Sequence, residues 1–80
     1  MSRQHHYLKT ETQYYQDIER GKKKFEIRKN DRNFEVGDML HLEESVNGVK
    51  TGRILPPLEI QYILFGGIYG LKQGYCIINW

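Results

Sequence analysis

No apolar stretch in this chain runs far before a glycine, proline or asparagine cuts it, and in several of the segments between the cuts hydrophobic and polar residues alternate at every second position. That punctuation predicts short strands joined by tight turns. Leu40 and Leu42 alternate with Met39, His41 and Glu43, which places the two leucines on one inward face of a strand. Asn47-Gly48 follows. This dipeptide tolerates the positive φ angles of a two-residue hairpin turn, so the chain is expected to return antiparallel. The returning strand falls within Gly52 to Leu64, where Leu58, Ile60 and Tyr62 alternate against Glu59, Gln61 and Ile63. Pro56-Pro57 marks an edge or bulge in it, because proline cannot donate a ladder hydrogen bond. Gly74 to Trp80 is apolar on both faces, as befits a strand covered on both sides or closing a barrel.

One helix is expected early in the order. His6 to Lys9 reads as a short first strand, and Thr10 then stands as a helix cap, with Gln13 as the fourth member of a capping box. Tyr14, Tyr15 and Ile18 fall on one side of a helix that runs to Arg20, and Gly21 sits where a left-handed residue ends it. Eighty residues make a single domain, residues 1–80, burying only about two-thirds of the unfolded chain's surface and on the order of 10 apolar side chains. The expected fold is mainly β (α+β). It has five or six short, mostly antiparallel strands with one helix between the first and second, curled into a partly open barrel whose corners bend at glycines.

The charges are unevenly placed. Arg20 to Arg32 holds seven of the twelve Lys and Arg but two of the ten Asp and Glu, a net +5 against −3 for the remainder of the chain. A field concentrated in this way suits an anionic partner. Within it Phe25 and Ile27 alternate with Lys24, Glu26 and Arg28, so the cations are expected on a strand whose apolar face is buried. Cys76 is the sole cysteine, which excludes an intrachain disulfide and fits a reducing, cytoplasmic setting. No run approaches the roughly 18 apolar residues of a membrane span, and the N-terminus lacks the apolar core of a signal peptide.

Lys22, Lys24, Glu26 and Arg28 are expected on one strand face, with Lys23, Lys29 and Arg32 at its margins. Arg28 offers a planar fork for a phosphate or a guanine edge, the lysines act as point charges, and Glu26 orients Arg28 or accepts from an exocyclic amine. The competing reading is a solvated face stitched by ion pairs worth roughly 0.2–1 kcal/mol each; an excess of positive charge gains nothing by it. Tyr69, with Phe65, is the aromatic expected to be exposed for base stacking, on the glycine-rich loop Phe65 to Gly70. That loop lacks the Gly-Lys-Ser/Thr of a phosphate loop. His5, His6, His41 and Cys76 never recur at ligand spacing, so no metal and no cofactor is expected. Cys76 lies between apolar neighbours as an inert thiol. Lys23 with Glu26 is the pair that could move protons in a hydrolytic site.

At these residues a resemblance enters. Gly21-Lys22-Lys23-Lys24-Phe25-Glu26-Ile27-Arg28 resembles the G-x-K-x-x-E-x-R signature of the ASCH domains, members of the PUA-like superfamily. His6-Tyr7-Leu8-Lys9, the stretch from Phe25 to Asp38, Thr51-Gly52-Arg53 and Ile60 to Leu64 look like a short bacterial and phage PUA-like family often labelled RNA-binding. The resemblance implies a PUA-like β-barrel with a cleft receiving Lys9, Lys23, Glu26 and Arg28. It implies binding of RNA or of a modified nucleoside, with Lys24, Lys29, Arg32 and Tyr69 completing the candidate nucleic-acid contacts. Simple alternation sets Lys23 opposite Glu26 and Arg28, so the cleft requires Lys23 to precede the regular strand or to sit at a bulge. Some ASCH relatives hydrolyse acetylated cytidine with a lysine, a threonine and a downstream glutamate. Lys23 matches their lysine, their threonine is Glu26 here, and the short Phe65 to Gly70 loop replaces the segment bearing their glutamate. RNA binding is therefore the leading expectation, hydrolysis of an acylated nucleoside in the same cleft the second, and capture of an acidic protein partner the third.

Overall fold

The computed structural model describes residues 3–80. Along the chain come β1 (His5–Glu11), α1 (Thr12–Glu19), β2 (Phe25–Lys29), β3 (Met39–Val46), β4 (Val49–Ile54), β5 (Leu58–Glu59), β6 (Tyr62–Phe65) and β7 (Tyr75–Asn79). The domain is mainly β with its helix between the first two strands, as expected, but the described residues form seven strands in two sheets. In one sheet β3 is central, parallel to β1 on one side and antiparallel to β4 and β5 on the other. In the other β7 is central, antiparallel to β2 and β6.

The Asn47-Gly48 turn forms where the sequence puts it, with φ of 51° and 80°, the paired positive values of a two-residue hairpin. The Glu11 carboxylate secures it by accepting from the amides of Asn47 (3.3 Å) and Gly48 (3.0 Å). The returning strand is Val49–Ile54 rather than the 52–64 stretch, because Pro56-Pro57 end it. Beyond them, β5 and β6 are two separate short strands. Between those two the chain changes sheets: the Ile60 amide donates to Asp38 O (2.9 Å) on the β3 side and the Gln61 amide to Asn79 O (2.7 Å) on the β7 side.

The helix starts one residue later than the capping-box reading. Its cap is Glu11, without a side-chain hydrogen bond, while Thr10 remains in β1, buried, where its hydroxyl accepts from Arg28 Nη2 (3.2 Å). The C-terminus behaves as expected: Gly21 has φ 76°, its amide reaches Ile18 O (3.0 Å), and the Lys22 amide reaches Asp17 O (2.9 Å). This pair of bonds is the Schellman closure. Tyr15 and Ile18 turn inward, whereas Tyr14, expected beside them, faces solvent.

The core gathers Leu8, Leu40, Leu42, Tyr15, Ile60 and Ile78 with Ile18, Phe34, Leu55 and Cys76, so it lies between the two sheets with α1 set against β1 and β3. A polar hub is buried at one side of it. Asp38 accepts from His6 Nε2 (2.9 Å), the Gln4 amide (3.1 Å) and the Glu35 amide (3.0 Å). Burial works against its ionisation, but the bonds from His6, Gln4 and Glu35 together outweigh that and hold the carboxyl below the usual range.

β2 and β1 do not pair, so no closed barrel forms. The outer edge of β1 instead hands its carbonyls to arginine side chains. Lys9 O accepts from Arg28 Nη2 (2.7 Å) and Tyr7 O from Arg32 Nη1 (3.4 Å).

Candidate functional site

β2 presents the reverse of the expected faces. Phe25 and Ile27 are exposed, Glu26 is buried and Arg28 is half-buried. Alternation is intact; the side turned inward is the charged one. A buried carboxylate needs compensation by charge and hydrogen bonds, and Glu26 has two partners. Lys23 Nζ bonds one carboxylate oxygen, and Arg28 Nη2 lies 3.1 Å from the other. Lys23 also donates to Phe25 O (2.7 Å).

Lys23 reaches Glu26 despite its place in the alternation because it precedes the regular strand. Its amide shares Asp17 O with that of Lys22 (3.1 Å) at the end of α1, so helix closure rather than strand pleat sets its direction. The three signature residues Lys23, Glu26 and Arg28 thus converge in one cluster.

Two hollows flank this cluster. The larger, about 390 Å³ and half open, is lined by Tyr14, Lys23, Phe25, Glu26 and Ile27, and the Lys23 ammonium stands 5.3 Å from the Tyr14 ring centre and 4.8 Å from that of Phe25. It runs along the unpaired edge of β2. Lys24 O accepts from Trp80 N and Asn30 N donates to Gly74 O, so the even-numbered residues bond β7 and the backbone of Ile27 points away from the sheet. The smaller hollow, about 140 Å³, is polar and is bounded by Arg28, Lys29, Asp31 and Arg32 with Leu8 and Phe34.

The other candidate residues are dispersed. Lys9 is exposed and bonds Gly48 O (3.2 Å) at the hairpin. Lys24 and Lys29 are exposed, and with Arg20 and Lys22 they have no ion-pair partner among the described residues. Arg32 is committed to Tyr7 O. Tyr69 is 87% exposed, on the loop after β6, and lines neither hollow. Sequence reasoning missed Tyr14, Phe25 and Ile27 as site residues because periodicity assigned all three to the core. The available signal was Lys23 preceding the strand, which would have drawn Glu26 inward.

Elsewhere, Glu44 is buried and accepts from Thr51 Oγ1 (2.7 Å) and Thr12 Oγ1 (2.9 Å), which hold its carboxyl below the usual range. Cys76 is buried, as the sequence suggested; burial raises its thiol pKa, and the nearby negative charge of Asp31 adds to the shift. His5 Nδ1 and His41 Nε2 lie 2.9 Å apart on the outer face of the first sheet. Among the described residues, no group of three or more His, Cys, Asp and Glu side chains is placed to hold a metal ion, and no helix is long and apolar enough to cross a membrane.

A family model described as a domain of unknown function (DUF3850) matches residues 5–80. A protein of Escherichia phage P2, described as an uncharacterized 12.9 kDa protein in the GpA 3′ region, is 50% identical over 48 residues. That match covers 60% of this chain and 44% of the phage protein, so the aligned part spans less than half of the relative's own length.

Proposed function

The chain belongs to the DUF3850 family, and within it we propose that this domain is a PUA-like module that binds RNA by admitting an unpaired base to the hollow beside β2. The observation that carries this reading is the convergence of Lys23, Glu26 and Arg28 at a half-open space of about 390 Å³ walled by Tyr14 and Phe25. That volume lies within the range of small-ligand sites. The Tyr14 and Phe25 rings offer faces for stacking. The Glu26 carboxylate has lone pairs left after serving Lys23 and Arg28, and these can accept from an exocyclic amine of a base. Lys22 and Lys24 on one flank and Lys29 on the other leave positive charge for the phosphates on either side. The signature's resemblance to ASCH domains supports the same partner.

The test is fluorescence anisotropy with labelled single-stranded RNA, hairpin RNA and duplex DNA, at low and at physiological salt. Single-stranded or loop RNA should bind best, with affinity falling steeply as salt rises. Tyr14→Ala should weaken it by about 1–3 kcal/mol, the worth of one stacked base. Unchanged affinity in Tyr14→Ala would remove the hollow from the RNA site.

The pairing of Lys23 with Glu26 at the hollow favours one second reading, proton transfer during hydrolysis of an acylated nucleoside held in the same hollow. Chromatography of an N-acylated cytidine incubated with the protein would detect it. Turnover retained in Glu26→Gln would exclude the pair from that chemistry.

A further inference from the structure

The outward face of the three-stranded sheet is uncovered. The β2–β7–β6 register aligns its residues in rows: Phe25, Asn79 and Tyr62 across one end, Ile27, Ile77 and Leu64 across the middle. At the other end Lys29 pairs with Tyr75. α1 lies against β1 and β3, on the other sheet, and among the described residues no helix or strand makes extensive contact with this face. The middle row is wholly aliphatic; Lys29 is the ionised side chain within the rows, and the Lys23 ammonium stands 4.8 Å from the Phe25 ring at one corner. A charge-free apolar centre with polar groups at its margin is the make-up of a protein interface core. Unpaired bases would be served by rings in the centre and several cations, the reverse of what stands here.

We propose that this face is the contact surface between two copies of the chain, packed sheet on sheet. The occupant follows from the arrangement of the rows. With a two-fold axis lying between the sheets and along β7, β2 of one copy covers β6 of the other. Phe25 then meets Tyr62 of the second copy, Ile27 meets Leu64, and Ile77 meets itself. Lys29 lies over the far edge, away from its own counterpart, so no like charges oppose. Aligned sheets in this arrangement sit about 10 Å apart with their side chains interdigitated.

The area decides the strength. Phe25, Ile27 and Tyr62 are 42%, 54% and 62% exposed. At about 200 Å² for a large side chain they leave on the order of 300 Å² in water, and half-buried Leu64, Tyr75 and Ile77 bring the face to roughly 400 Å². Two copies remove about 800 Å², and with the rim about 1,000 Å², the lower limit for a specific interface. An interface at that limit belongs with weak, transient contacts, so association is expected only at high concentration. The inference does not rest on the RNA reading, but Phe25 and Ile27 also line the hollow beside β2, so a bound base and a second copy compete for those two side chains.

Sedimentation equilibrium from about 5 µM to about 1 mM, a range suited to a weak interface, should show the mass rising from 9.5 kDa towards twice that value. Ile77→Lys, which puts two lysines face to face at the centre, should raise the Kd at least about tenfold while leaving the far-ultraviolet circular dichroism unchanged. Should that variant fail to fold, backbone amide shifts of the wild type across the same concentration series decide the matter. Shifts confined to β2, β6 and β7 support the interface. A mass fixed at 9.5 kDa up to about 1 mM, or shifts centred on the β3–β4 hairpin, would overturn it. So would a monomer whose β2, β6 and β7 amides respond only to added single-stranded RNA, which would give the face to nucleic acid.

Discussion

Arg28→Ala tests whether a residue that reads as a nucleic-acid contact is first of all a structural one. Arg28 Nη2 gives the edge carbonyl of Lys9 a 2.7 Å bond, reaches Thr10 Oγ1 at 3.2 Å, and lies 3.1 Å from Glu26. Truncation leaves Lys9 O and a buried carboxylate each short of a partner. Breaking a fully buried ion pair costs about 3–5 kcal/mol, but here Lys23 still holds Glu26, and the Arg28 side chain is 24% exposed. The lost charge-assisted bond to Lys9 O adds about 1.5–3 kcal/mol in a partly wet site. Weighing these together gives a net loss of about 2–4 kcal/mol, in a domain whose whole stability is on the order of 4–12 kcal/mol. The midpoint of thermal unfolding should fall by about 10–25 °C. Urea titration followed by circular dichroism measures the loss directly, and Arg28→Lys should recover only part of it, because all three contacts are made by Nη2 and the shorter lysine stem does not carry its ammonium to that point. Arg32→Ala, which breaks one 3.4 Å exposed bond, should cost under about 1 kcal/mol. An Arg28→Ala protein within about 0.5 kcal/mol of wild type would refute the reasoning, since surface substitutions fall in that range.

Acid should destabilise the fold through Asp38 and Glu44. Both carboxyls are held below their ordinary values in the folded state, so the stability they contribute is present at neutral pH and is lost as pH falls through the folded values, below about pH 4. Urea titrations across pH 6 to 2.5 should show a steep acid limb, and Asp38→Asn should flatten it; an unaltered limb would free Asp38 of that role. Gly66→Ala should destabilise by about 1–3 kcal/mol, since a Cβ there would stand 2.0 Å from Lys72 O and 2.7 Å from Tyr75 O, both backbone atoms that cannot swing aside. Amide exchange would then quicken in β6 and β7, and unchanged protection would count against that close approach.

The strand-turn-strand grammar was legible before any coordinates. Asn47-Gly48 fixes its hairpin, Gly21 closes α1, Leu40 and Leu42 face inward, and Cys76 is buried, because each depends on a few neighbouring residues and on the pitch of the backbone. Thr10 shows where local reasoning ends. Its hydroxyl suits a helix cap, yet β1 continues through it to Glu11 along the parallel partner β3, and that pairing outcompetes the cap.

β2 carries the same limit into the candidate site. Alternation divides Phe25, Glu26, Ile27 and Arg28 into two faces, but a period of two cannot say which face meets the core. Hydrophobicity alone would bury Phe25 and Ile27. The tertiary structure turns Glu26 inward instead, because the closure of α1 delivers Lys23 to it and the unpaired edge of β1 calls Arg28 across to Lys9 O. Those partners lie in other elements and come together only once the two sheets have closed around the core. Local residue order sets which side chains alternate and where the chain turns; the meeting of distant edges sets which side of β2 becomes the site.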